Sequence, residues 1–336
     1  MATRACGQAS VKRVLITGCS GEIGRVLVQA LLSDPEIERV VGVDLRQPDN
    51  FHPGHFHFIS RNVREPLDAL LRQHAIDTVV HAAFVVQPIH DSRLQYAIDV
   101  EGTRSVVRSA VAAKVENFVQ LSSATVYGAH ADQHEPLSEG SPLRPNRGLA
   151  YAEHKVAAEG IVEQFRSQGA FRAVTVLRSS FVAGPASRSA LFRHISRRFA
   201  VLPGAQSPLQ LTHIDDLVEI LRKIIHRTAD GVFNVGAEGA LTASQMMARL
   251  HNYSLTVPYP ILRPLGAVVW KTRLSLLTEV PAEAIVLLRH PWRVRTDAVR
   301  TALDFRFRYD TRAAFEDFAE AERRRRFVAT GKRSRW

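Results

Sequence analysis

Only two of the 336 residues are cysteine, Cys6 and Cys19, both near the N-terminus. Two such thiols, one inside a glycine loop, build no disulfide framework, and the usage suits a reducing compartment. Nowhere do apolar residues run on for the ~18 positions of a membrane span, and the first residues lack the apolar core of an export signal. The expectation is a soluble, cytoplasmic chain. Internal repeats are also missing. Acidic residues are in deficit, 33 against 44 Lys and Arg, a formal charge of +11. That surplus is concentrated: residues 321–336 hold seven basic side chains, Arg323 to Arg326, Lys332, Arg333 and Arg335, against Glu322. The body of the chain is therefore near balance, and no specific nucleic-acid partner is indicated. The stretch 321–336 reads as a solvated, disordered tail with at most weak contact to an anionic surface or RNA.

What the chain does have is alternation. "VKRVLITG" (11–18), "RVVGVD" (39–44), "HFHFIS" (55–60), "IDTVVHAA" (76–83), "NFVQLSS" (117–123), "RAVTVLRSS" (172–180) and "GVFNVG" (231–236) are short β-branched runs. Between them lie helical patterns at 22–33, 66–74, 94–113 and 151–168. Apolar strands alternating with amphipathic helices predict an α/β fold, a Rossmann-type doubly wound parallel sheet. We expect a dinucleotide-binding domain over 11–180, with later strands contributed by about 209–236. A smaller substrate-binding region over 181–320 would be interleaved with it. A helix over 241–250 would be capped by Thr242 or Ser244.

The first strand-to-helix turn, "TGCSGEIG", spaces Gly18, Gly21 and Gly24 as G-x-x-G-x-x-G. Glycines there permit a tight turn, a close approach to a pyrophosphate and close helix–strand packing, while the helix N-terminus offers free N–H groups. Asp44 ends the second strand, where a carboxylate accepts from adenosine ribose hydroxyls and repels a 2′-phosphate, favouring NAD over NADP. Arg46 blunts that preference, and a plain strand-end cap is the competing reading of Asp44.

"LAYAEHK" (149–155) sets Tyr151 and Lys155 four apart, on one helical face. Alone this is either an exposed polar pair or a phenol activated by an ammonium. The motifs "TGCSGEIG", "HAA" (81–83), "LSSATVYG" (121–128), "YAEHK", "LTHIDDL" (211–217) and "FNVG" (233–236) settle the choice by their order. Over roughly residues 12–250 the chain resembles the extended short-chain dehydrogenases/reductases, and in particular the NAD-dependent epimerase/dehydratase family. The resemblance implies a catalytic set of Ser123, Tyr151 and Lys155, with Ser122 the weaker candidate serine. Tyr151 would be general acid/base, its pKa brought from about 10 towards 7 by Lys155 and the nicotinamide cation. The resemblance further implies a cofactor site at Gly18, Gly21, Glu22, Ile23, Gly24, Asp44, Asn62, Val63, Ala82, Ala83 and Lys155. It also implies a small-molecule substrate and a homodimer through the helices at 94–113 and 151–168.

Several positions depart from the family pattern. Ala124 and Thr125 stand where dehydratases carry acids, so sugar 4,6-dehydration is disfavoured. Asp99 replaces an asparagine. Phe181 and Leu209 stand where sugar-nucleotide enzymes have a diphosphate-binding asparagine and arginine. With the apolar "VPYPILRPLGAVVW" (257–270), they leave two substrates open: a nucleotide sugar, or a sterol-like or β-keto acyl compound. A catalytically silent NAD-binding sensor or scaffold is a third reading. His52, His55 and His57 tempt a metal assignment, but no acid or cysteine accompanies them in spacing, so no metal is expected. His130 and His134 carry even less. His213, before Asp215 and Asp216, reads as a helix cap rather than a catalytic dyad.

Overall fold

The structure, a computed structural model, describes residues 11–48, 56–133, 136–273 and 280–333, with side chains through residue 328. Cys6, His52, His55 and His134 lie outside the described residues, as does the end of the basic stretch. The chain begins with β1 (Lys12–Thr17), α1 (Glu22–Leu32), β2 (Ile37–Asp44), β3 (Phe56–Ser60), α2 (Asp68–Gln73) and β4 (Thr78–His81). Next come α3 (Ser92–Tyr96), α4 (Gly102–Ala112), β5 (Asn117–Ser123), α5 (Ala150–Ser167) and β6 (Ala173–Ser179). The second half holds β7 (Phe181–Ala183), α6 (Ala190–Ile195), β8 (Phe199–Pro203), β9 (Leu211–His213), α7 (Ile214–Arg227) and β10 (Gly231–Val235). It closes with α8 (Ala243–Arg249), β11 (Tyr253–Val257), α9 (Tyr259–Lys271), α10 (Asp297–Leu303) and α11 (Thr311–Arg333).

Seven strands form one parallel sheet in the order β10-β6-β5-β4-β1-β2-β3. Every residue of β5 and β6 is buried, as central strands covered on both faces must be. Helices α1 and α7 pack together on one face, burying Leu27, Val28 and Leu31 with Leu217, Leu221 and Ile224. On the other, α4 and α5 cover Phe118, Val174 and Val176. Strand order reverses between β1 and β4, so a crevice opens there beyond the carboxyl ends of the strands. The edge strand β10 comes from the later part of the chain. The remaining strands make two small parallel pairs, β7 with β9 and β8 with β11.

Two expectations fail in instructive ways. The helix expected over 94–113 is interrupted by a π-turn, Ala97–Glu101, which turns Asp99 inward. The basic stretch is not a disordered tail in its described part: it continues α11. The helix buries Ala314, Phe315, Phe318 and Ala319, and Glu322 pairs with both Arg325 (2.8 Å) and Arg326 (3.3 Å). Arg326 also donates to the Ser196 carbonyl and to Asn252 Oδ1. Of the two cap candidates, Thr242 closes a capping box with Gln245, while the Ser244 hydroxyl instead accepts from Gln206.

Candidate active site

All the residues proposed from sequence for catalysis and cofactor binding line a single cavity of about 850 Å³ at the crevice. At its cofactor end, Gly18 has φ +71°, and a Cβ there would stand 2.7 Å from the Ala83 backbone. A Cβ on Gly24 would meet the Gly18 carbonyl oxygen at 2.2 Å. The turn is therefore pressed between β4 and α1 with no room for side chains. Helix α1 has no side-chain cap at Gly21, so its first N–H groups are left for an anion. Glu22 lines the cavity, but its carboxylate accepts from Ser187 Oγ and the Arg188 N–H. Asp44 accepts the N–H groups of Ser20 (3.0 Å) and Leu45 (2.7 Å), which makes it a cap of the glycine loop as well as a wall of the cavity. Asn62 Oδ1 accepts from Arg64 N–H, and Val63 is buried beside it. An extended dinucleotide fits this uncapped, side-chain-free cradle with a carboxylate at its far edge.

At the other end, β5 delivers Ser123 and α5 delivers Tyr151 and Lys155. Ser123 Oγ accepts from both Thr125 N–H (3.2 Å) and Thr125 Oγ1 (3.0 Å). With both lone pairs taken, its own proton is left to donate. Ser122 is committed elsewhere: its hydroxyl donates to the buried carboxylate of Glu159. Lys155 Nζ donates to the Leu121 carbonyl at 2.6 Å and stands 3.6 Å over the Phe84 ring, whose face favours a cation. Phe84 also meets the Tyr151 ring edge-on at 5.6 Å.

The electrostatics differ from the sequence expectation. Burial pushes the Tyr151 phenol up to about 12, and the negative charge of Asp99 adds to it, while a hydrogen bond with Ser123 works the other way. Burial likewise pushes Lys155 down to about 7, partly offset by Asp99 and Glu159. In the protein alone, desolvation outweighs the pairing of phenol and ammonium. Behind them Asp99 is fully buried, its Oδ1 accepting from Val85 N–H and its Oδ2 2.9 Å from His154 Nδ1.

Phe84, Thr125 and His154 are the neighbours that sequence reasoning missed as site residues. In the sequence Thr125 is marked only by the carboxylate it lacks, and His154, inside "YAEHK", has no neighbouring partner to give it meaning. Phe181 does line the cavity, edge-on to Trp292 at 5.1 Å, whereas Leu209 is buried in the core away from it. His213 is the cap of α7, its Nδ1 accepting from Asp215 N–H. His57 lies beside His74, and His130 Nε2 lies against the Arg144 carbonyl. Among the described residues no group of three His, Cys, Asp or Glu side chains is placed to hold a metal ion. Nor is any described helix long and apolar enough to cross a membrane.

Residues 14–236 match the NAD dependent epimerase/dehydratase family. An uncharacterized protein of Mycobacterium tuberculosis is 28% identical over 321 residues, covering 91% of this chain and 83% of its own. The N-acetyl-alpha-D-glucosaminyl-diphospho-ditrans,octacis-undecaprenol 4-epimerase of Escherichia coli O157:H7 is 24% identical over 262 residues, 74% of this chain and 76% of its own. Among solved structures, MoeE5 in complex with UDP-glucuronic acid and NAD superposes with a TM-score of 0.73 at 24% identity, covering 93% of this chain and 99% of the other. The chain belongs to the NAD dependent epimerase/dehydratase family, enzymes of the extended short-chain dehydrogenase/reductase class.

Proposed function

We propose that this member of the family binds NAD along the glycine cradle and interconverts a secondary alcohol and a ketone, with Tyr151 as general acid/base. The observation that carries the reading is the meeting of Ser123, Tyr151 and Lys155 in the same cavity as the uncapped N-terminus of α1. Asp44 at the ribose edge favours NAD over its phosphorylated counterpart.

The geometry supports a role for each residue. Ser123, whose proton Thr125 does not claim and which faces Tyr151, would hold the substrate oxygen and stabilise charge that develops there. Tyr151 would take the alcohol proton in oxidation and return it in reduction. NAD, when bound, would supply the hydride acceptor for the carbinol carbon and a positive charge. Lys155, held by the Leu121 carbonyl and the Phe84 face, would supply the second positive charge and a hydroxyl-binding ammonium. Ala124 and Thr125 provide no carboxyl group for elimination, so the ketone is not carried on to dehydration. Release of the ketone and the reduced cofactor would complete a dehydrogenase cycle, whereas reduction of the ketone from its opposite face would complete an epimerisation.

The test is NAD binding by the purified chain together with turnover of alcohols and ketones by the parent and by Tyr151→Phe. We expect NAD affinity to be kept and turnover to fall by about 10²–10⁴. Absence of NAD binding, or a Tyr151→Phe enzyme as fast as the parent, would overturn the reading.

A further inference from the structure

The cavity has two chemically different halves. Beyond Tyr151, its walls are Phe181, Leu191, Leu262, Val269, Leu288 and Trp292. Among the described residues that line the cavity, the cationic side chains are Arg61 and Lys155. Arg61 follows β3 at the cofactor edge, where its N–H donates to the Asp44 carbonyl and its guanidinium lies 3.6 Å from Glu65. Lys155 is held by Leu121 and Phe84 at the reacting end. His194 has its Nε2 at 2.9 Å from the Val201 carbonyl. Among the described residues, the substrate half therefore offers a diphosphate no cationic side chain besides Lys155 to replace its water, and placing such an anion against these apolar walls is unfavourable.

The same half opens through an apolar mouth. Val201 and Leu265 line the cavity and yet are 41% and 57% exposed, so they mark where it meets solvent. Beside Val201, the β8–β11 pair carries Phe199 stacked on Tyr253 at 5.4 Å, both on the surface. Along α9 no residue is buried, although it is apolar at Ile261, Leu262, Leu265, Val268 and Val269. A hydrocarbon ligand meets matching surface from the entrance to Tyr151.

From this the geometry points to a substrate that carries its secondary alcohol or ketone on a hydrocarbon body, alicyclic or long-chain, and has no nucleoside diphosphate. The inference rests on the function proposed above for its reacting group, but the binding chamber is tested separately. Equilibrium dialysis of the full chain without cofactor, using tritiated dehydroepiandrosterone, dodecan-2-one or UDP-galactose, measures it directly. At least one hydrocarbon probe should bind about a hundredfold more tightly than UDP-galactose. Leu265→Glu, at an exposed position, should weaken that binding at least about tenfold while NAD affinity stays unchanged. UDP-galactose binding as tightly as both hydrocarbon probes, no hydrocarbon binding at all, or indifference to Leu265→Glu would overturn the inference. Loss of NAD binding, or an active Tyr151→Phe enzyme, would instead sink the proposed reaction and leave the chamber result standing.

Discussion

Asp99 Oδ2 lies 2.9 Å from His154 Nδ1, in a fully buried position behind Tyr151 and Lys155. The π-turn at Ala97–Glu101 places the carboxylate there, and α5 brings the histidine from one residue before Lys155. Asp99 raises the pKa of both Tyr151 and Lys155, since a negative neighbour disfavours phenolate and favours ammonium. Replacing it with the neutral isostere, Asp99→Asn, should lower both. The pH dependence of turnover should then move to lower pH, and tyrosinate absorbance should appear earlier in an alkaline titration. An unmoved profile would mean that the carboxylate is only a structural tie to Val85.

His81 gives a stability prediction with a definite sign. Its ring is held between Thr17 Oγ1 (2.7 Å) and Thr103 Oγ1 (3.0 Å), linking β4 to β1 and α4. Burial pushes its pKa down to about 3, whereas an unfolded histidine titrates near 6.5. Between those values the unfolded chain binds a proton that the folded chain refuses. Stability attributable to His81 is thus complete above about pH 6.5 and falls as pH drops toward about 3, with a slope of up to ~1.36 kcal/mol per unit. Urea unfolding at several pH values should show this loss, and His81→Gln should flatten it.

The parts legible in the sequence were those with local causes. The glycine spacing after β1 and the Tyr151–Lys155 interval each record one turn of backbone geometry. Ser123 was separable from Ser122 only through the resemblance; the structure adds a physical reason, the buried Glu159 that claims Ser122. What escaped depended on distant partners. Helical periodicity across 94–113 carries no mark of the π-turn, because the inward Asp99 is explained by His154, 55 residues away. The Arg323–Arg326 run looked like solvated charge, but Glu322, Ser196 and Asn252 supply partners for Arg325 and Arg326. Leu209 drew attention because the resemblance puts a diphosphate-binding arginine at its position, yet it is in the core beside Leu241.

Arg178 and Glu159 form a buried ion pair, 2.7 Å apart, between β6 and α5. Arg178 also donates to Tyr127 Oη, which donates in turn to Asn234. Removing one partner leaves the other charged and dry, so Glu159→Gln should cost about 3–5 kcal/mol in chemical denaturation. The paired replacement Arg178→Met with Glu159→Leu should recover much of that loss. A single-mutant cost of no more than ~1 kcal/mol would place the pair with ordinary surface bridges.

Two glycines in helices should respond oppositely to the same substitution. At Gly24, in the first turn of α1, an added Cβ would stand 2.2 Å from the Gly18 oxygen and 2.9 Å from Cys19 Cα, backbone atoms that can move only by opening the cofactor turn. Gly24→Ala should therefore destabilise by about 1–3 kcal/mol and weaken NAD binding. At Gly160, on the exposed side of α5, a Cβ meets nothing within 4 Å. There alanine only restricts the unfolded chain and favours the helix, so Gly160→Ala should stabilise by about 0.5–1 kcal/mol and leave NAD affinity unchanged. Denaturation midpoints and NAD titrations of the two variants, read side by side, check that the glycine turn is held by close contact rather than by flexibility. Equal effects at both sites would refute it.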